Sequence, residues 1–466
     1  MRIQHPSIAL IAVLAAATAA CSGYPTATGE GRAAAPRAAT LPNVVFITVD
    51  TLRVDRIGVY GSTTASTPNL DALAARGARF DRAYATFPKT NPALASLMTG
   101  RYPSAHGVRR NGAHLPESEL TLAEILQAAG YDTAAFASNF VTRARHGLAQ
   151  GFALYDEDLP DAIVTRQAKE RTAGPLVDAV LGWAGKSPSG PTFLWVHFID
   201  PHGPYTPPGY AEKAPRVSRG GRTLPVSATS RGAYVIPAYQ ALPGVTEVDE
   251  YVARYDAEVE YMDAEVGRLV EGLSSSGLLQ GAIVVLVADH GESLGDHGLF
   301  FQHGSSLYDP QIHVPLIILG PGIAPRVVDE TVSQVDVMPT VLEMLGLPVV
   351  RGIQGSSLGG LLTGPAAAGS ISPSRSGRVL FAELDRMYAV IEGSRKLIWD
   401  AESKEIEFHD LATDPEEARD IPPGSREGER RLLEAVSRFT RENFRDEARA
   451  TDEETIRNLK SLGYVE

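Results

Sequence analysis

Residues 43–50 read NVVFITVD, and residues 281–290 read GAIVVLVADH. Each is a run of apolar, mostly β-branched side chains with no polar face, closed by an acid. Such a run fits a strand buried inside a parallel sheet and covered on both sides. PTFLWVHFIDPH at 191–202 has the same form and ends in Asp200 and His202, and HVPLIILGPG at 313–322 is a fourth run. Helical stretches lie between and beside them at 67–77, 121–130, 248–277 and 335–346. The alternation predicts an α/β fold: a mostly parallel sheet flanked by helices. Ligands in such sheets bind beyond the carboxyl ends of the strands. One Asp there would be an ordinary turn or cap residue. Asp50, Asp200 with His202, and Asp289 with His290 arriving from three strands point instead to a metal or catalytic site.

The chain has 466 residues, 44% of them hydrophobic and 21% charged, enough to bury a sizeable core. A net charge of -13 argues against a nucleic-acid partner, because phosphate backbones need basic surface. The single cysteine, Cys21, excludes an intramolecular disulfide and, deeper in the chain, a thiolate nucleophile. An Arg-bearing start, an apolar run and small residues precede Cys21. That pattern reads as a signal peptide over 1–21 with a lipidated cysteine. The expectation is an exported bacterial lipoprotein, anchored to the membrane of the cell envelope; the plainer alternative is a cleaved signal with a chance cysteine. Residues 22–41, small and Pro- and Gly-bearing, read as a flexible linker.

TNPALASLMTG at 90–100 starts with a hydroxyl residue, then Pro92, then good helix formers, then Gly100. This predicts a helix with Thr90 as N-cap. A helix N-terminus offers N–H groups and partial positive charge to a tetrahedral anion. A hydroxyl there can attack phosphorus or sulfur if a divalent metal lowers its pKa. Asp50, Asp289 and His290 supply ligands that suit zinc, manganese or calcium, with the Thr90 oxygen completing the shell. The bland alternative is that Thr90 only caps.

Six blocks together carry a resemblance: LPNVVFITVDTLRVDRIGVYG, TPNLDALAARGARFDRAYAT, NPALASLMTGRYPSAHGV, FIDPHGPYTPP, DHGESLGDHG and HVPLIILGPG. In this order and spacing they resemble the sulfatase family of the alkaline phosphatase superfamily. The resemblance implies a catalytic domain over 42–370 with an alkaline phosphatase-like fold. A C-terminal subdomain with a hairpin at RKLIWD and a terminal helix would follow over 371–466. It also implies a hydrolase of small anionic esters. The departures lie at the centre. The family's Cys/Ser-x-Pro-x-Arg pattern reads Thr90-Asn91-Pro92-Ala93-Leu94, so no formylglycine can form. Paired metal aspartates are reduced to Asp50 followed by Thr51, FASNFVT (136–142) replaces a Lys-bearing loop, and His303 stands where another Lys is expected.

What remains resembles the superfamily branches that use a threonine nucleophile. That implies one divalent metal at Asp50, Thr90, Asp289 and His290. His202 and His303 would face the leaving group or the non-bridging oxygens, as hydrogen-bond donors or a general acid. Asn111 would contact the phosphoryl oxygen or, alternatively, satisfy loop backbone. Asp200 would orient His202 or cap a turn. His106, His197, His297 and His313 read as structural. The segment 205–245, rich in Gly, Pro and Arg, is expected to set specificity. Three functions stay open: a phosphomono- or diesterase or transferase, a sulfuric ester hydrolase without formylglycine, and a decayed surface lipoprotein with a binding role.

Overall fold

The computed structural model describes residues 41–159, 170–186, 190–210, 221–229, 231–363, 377–423, 426 and 428–443. The expected signal peptide, Cys21 and nearly all of the linker lie outside the described residues. So does the expected boundary at 370/371.

Eight strands form the main sheet: β1 (Val44–Val49), β2 (Ala78–Tyr84), β3 (Asp132–Phe136), β4 (Leu154–Asp156), β5 (Thr192–Phe198), β6 (Ile283–Ala288), β9 (His313–Leu319) and β10 (Arg326–Ser333). A two-stranded ribbon, β7 (Ser293–Leu294) and β8 (Phe300–Gln302), lies between β6 and β9 in the chain. The order across the sheet is β10-β2-β9-β6-β1-β5-β3-β4. β1, β5 and β6 are buried along their whole length, as their two-sided apolar sequences require. They run parallel and in register, Val49 opposite both Phe198 and Ala288. Asp50 and Asp289 therefore leave the sheet side by side. The fourth run, β9, is antiparallel to both β2 and β6.

The expected helices form as α1 (Pro68–Ala74), α3 (Leu122–Ala128), α5 (Val248–Ser275) and α6 (Val337–Met344), with α2 (Thr90–Thr99) and α4 (Ala173–Ala184) beside them. Thr121 and Glu124 close a reciprocal capping box on α3. α2 is buried at every position, which its small residues permit.

The C-terminal part is larger than a hairpin. β11 (Leu380–Leu384), β12 (Met387–Glu392), β13 (Arg395–Asp400) and β14 (Ile406–Asp410) make a four-stranded antiparallel meander. The terminal helix α7 (Glu429–Asn443) buries Leu432, Val436 and Phe439, one stripe at helical spacing. Phe439 stacks on Phe381 at 4.1 Å and meets Tyr102 edge-on at 5.2 Å between ring centroids. Tyr102 belongs to the main body, so the two sheets share one apolar cluster.

Candidate active site

The parallel register brings the strand ends to one point. Asp50, Asp289 and His290 are buried, and one ligand atom from each lies within 4.8 Å of the others. His290 Nε2 is 3.6 Å from Asp50 Oδ1 and 3.7 Å from Asp289 Oδ2. Thr90 Oγ1 donates toward Asp50 Oδ2 at 3.5 Å and stands 3.5 Å from His290 Nε2. Ligands about 2.1 Å from a tetrahedral ion stand about 3.4 Å apart, close to these separations.

The donor set fits a divalent cation on two further grounds. Asp50 Oδ1 and Asp289 Oδ2 are buried and have no hydrogen-bond partner among the described residues. His290 Nδ1 donates to Gly291 O at 3.0 Å, which fixes the tautomer and leaves the Nε2 lone pair facing the acids. Burial, then the neighbouring Asp289, pushes the Asp50 carboxyl well up. Burial lifts Asp289 to about 8. His290 is driven well down by burial and by His303. A positive charge at the shared point would reverse the two carboxylate shifts and hold His290 neutral, as a ligand must be.

The turn after β1 is held in an unusual conformation. Thr51, a β-branched residue, has φ 54°. Its N–H donates to Asp289 Oδ1 at 3.3 Å, and Tyr255 of α5 donates to its carbonyl at 2.6 Å. Helix α5 thus braces the loop that aims Asp50.

Thr90 is the first helical residue rather than the N-cap. Lys89 has the extended N-cap backbone, and its carbonyl accepts the Ala93 N–H at 3.2 Å. The Asn91 N–H goes to Asn111 Oδ1 at 3.0 Å, and Pro92 has no N–H. The helix tip therefore offers the Thr90 N–H rather than a fan of donors, and the Thr90 hydroxyl is turned toward Asp50. Asn111 thus accepts a backbone N–H of α2. Its buried Nδ2 has no hydrogen-bond partner among the described residues.

The imidazoles of His290, His303 and His202 follow one another, with ring centroids 4.6 Å and 5.1 Å apart. His202 Nδ1 donates to Gly203 O at 2.7 Å. His303 Nδ1 meets Glu292 Oε1 at 3.3 Å. Asp200 accepts the Ala173 N–H at 2.7 Å, at the start of α4.

Several site residues escaped the sequence reading. Asn139, three residues past β3, donates to Asp50 Oδ2 at 2.9 Å. The signal was present, because β3 is another parallel strand ending at the same edge. His197 is a buried core residue, but it also underlies the site: Nδ1 pairs with Thr48 Oγ1 at 2.9 Å, and Nε2 is 3.8 Å from Asp50 Oδ2. Glu292 follows the DHG motif directly and carries no signal beyond that adjacency.

The site and the sheet that carries it define a hydrolase acting on ester bonds, and comparison with known proteins gives the family. The sulfatase family model matches residues 42–347, and the model described as N-sulphoglucosamine sulphohydrolase, C-terminal, matches residues 295–432. The chain belongs to the sulfatase family. An arylsulfatase of Clostridium perfringens is 26% identical over 438 residues, covering 82% of this chain and 90% of the relative. A choline-sulfatase of Rhizobium meliloti is 28% identical over 431 residues, covering 83% of each. Among solved structures, the phosphonate monoester hydrolase of Agrobacterium radiobacter superposes with a TM-score of 0.66 at 22% identity. That match covers 86% of this chain and 95% of the other. At that identity the likeness is one of fold.

Proposed function

We propose that the protein is a metal-dependent hydrolase of phosphate mono- or diesters in which Thr90 is the nucleophile. The observation that carries this is the position of Thr90 Oγ1, 3.5 Å from both Asp50 Oδ2 and His290 Nε2, beside two orphaned carboxylate oxygens. A divalent ion held by Asp50, Asp289, His290 and Thr90 would lower the hydroxyl's pKa and screen the ester oxygens. The Thr90 proton passes toward Asp50 Oδ2, its acceptor. Oγ1 bonds to phosphorus as the bond to the leaving oxygen breaks, and the alcohol takes its proton from His303 or His202. Glu292 braces His303 through Nδ1 and balances the charge of its protonated form. Water then releases phosphate from Thr90. A threonine carries one hydroxyl, so a transferred group leaves it only by attack at the central atom, a route open to phosphoryl groups. Sulfate-ester hydrolysis is the second reading, favoured by the names of the relatives.

Aryl phosphate, bis-aryl phosphate and aryl sulfate assayed with zinc, manganese or calcium separate the two readings. Thr90→Ala should lower turnover at least about 10³-fold, the scale for loss of a catalytic nucleophile. Wild-type turnover in Thr90→Ala refutes the nucleophile. No turnover, together with no bound metal, favours a binding role. We further propose that a lipid on Cys21 holds the protein at the cell envelope; fatty-acid labelling that survives Cys21→Ser refutes this.

A further inference from the structure

We propose that Lys89 and Arg231 form a cationic subsite that takes an anionic group of the substrate beside His303; this rests on the ester-hydrolase reading above. Lys89 is 5% exposed, yet among the described residues it has no ion pair. Burial, then the charge of Arg231, pulls its pKa down to about 8, and the carboxylate of Asp385 opposes them less. A buried cation without an ion-pair partner is costly. It is tolerable where a ligand brings the missing charge. The side chain lies along Gly304, the residue after His303. A Cβ at 304 would stand 2.5 Å from Lys89 Cε, so the glycine makes room for the lysine.

Arg231 comes from a distant segment of the chain. Gln302 Nε2 donates to Gly232 O at 2.7 Å, and the Gly232 N–H returns to Gln302 Oε1 at 3.4 Å. This pair clamps the 231–232 backbone to the residue before His303. Arg231 also forms no ion pair among the described residues, and it acts together with Lys89 on His303. Two cations from distant segments thus converge on residues 302–304. The His303 ring is 4.6 Å from that of His290, so the subsite adjoins the metal ligands. Arg231 lies within the segment expected to set specificity. The ligand chemistry is an oxyanion: the reacting group itself, or a second anionic substituent on the same substrate.

The test uses the full chain loaded with zinc. Lys89→Met, Arg231→Met and Lys89→Arg are compared on 4-nitrophenyl phosphate and on its ring-carboxylated analogue. Binding of inorganic phosphate is followed by calorimetry in the Thr90→Ala background, where turnover plays no part. Each Met variant should weaken its anion about tenfold, the scale of one charge-assisted hydrogen bond, and Lys89→Arg should retain most of the affinity. A rise in KM for both esters with weaker phosphate binding assigns the reacting group. A rise for the carboxylated ester alone assigns the second substituent. Unchanged KM for both esters and unchanged phosphate affinity in both Met variants overturn the subsite. Loss of phosphate affinity without any wild-type ester turnover would sink the esterase reading and keep the subsite. Arg231→Met, in a loop, covers the case in which Lys89→Met fails to fold.

Discussion

Two pairs of acids in this molecule, Asp309 with Glu417 and Asp50 with Asp289, look alike in composition and differ in what neutralises them. In the C-terminal part, Lys396 is fully buried, with Nζ 2.7 Å from Asp309 Oδ1 and 2.6 Å from Glu417 Oε1. Glu417 Oε2 also accepts the Asp309 N–H at 2.6 Å. Burial works against the charge of Lys396, and the two acids outweigh it, holding its pKa up. At the strand ends, Asp50 and Asp289 face each other with no Lys or Arg ion pair among the described residues. The nearby imidazoles, His290 and His197, are driven toward neutrality by burial. The first cluster carries its own cation and fastens β13 to the loop after β8. The second is short of positive charge by construction, as a site built to receive an ion must be.

Asp289→Asn tests the deficit directly. If Asp289 holds the proposed metal, bound metal and ester turnover should both fall, turnover by at least about 10³-fold. Removing a buried, unpaired carboxylate should leave the metal-free protein no less stable than the wild type. Chelation should then lower the wild-type melting temperature while leaving that of Asp289→Asn in place. Full metal content in the variant, measured by elemental analysis, would remove Asp289 from the ligand set.

Lys396→Met should do the opposite. It strands the buried Glu417 and the half-buried Asp309, and losing one partner of a buried ion pair costs about 3–5 kcal/mol. The midpoint of chemical denaturation should drop accordingly, while turnover per folded molecule stays at the wild-type value. A loss of turnover without a loss of stability would show that the two clusters are not separable.

The same contrast explains what the sequence disclosed. Strands buried on both faces announce themselves, because every position must be apolar. β1, β5 and β6 were therefore legible, and with them Asp50, Asp289 and His290. The antiparallel direction of β9 was not legible, since a two-sided apolar run reads the same either way. Thr90 was placed one residue early because Thr before Pro satisfies cap statistics, whereas the extended backbone at Lys89 decides the real cap. Asn139 carries no such mark, because an Asn past a strand end reads as an ordinary turn residue. Lys89 and Arg231 are 142 residues apart in sequence and are brought to residues 302–304 by the packing on Gly304 and by the Gly232–Gln302 clamp. The first two strands of the C-terminal meander went unread, since that sheet is recognised by pairing rather than by its short alternating segments.

The smallest expected effect concerns a buried imidazole of a third kind. His106 has both nitrogens engaged within the protein: Nδ1 accepts the Val108 N–H at 3.1 Å, and Nε2 donates to Ser96 Oγ at 3.0 Å. His290, by contrast, keeps one nitrogen open to the acids. Burial, then Arg101, pushes His106 from its ordinary 6.5 down to about 3. The folded state therefore binds this proton less readily than the unfolded chain. Its contribution is fully present above about pH 6.5 and is lost as pH falls from there toward about 3, at up to about 1.4 kcal/mol per pH unit. His106→Gln should cost about 1 kcal/mol at pH 7.5 through the weakened bonds to Ser96 and Val108. The variant should then lose stability less steeply on acidification, so the two denaturation curves converge between pH 6 and pH 4. Parallel curves across that range would mean that His106 takes up its proton in the fold, and that its two internal bonds do not hold it neutral.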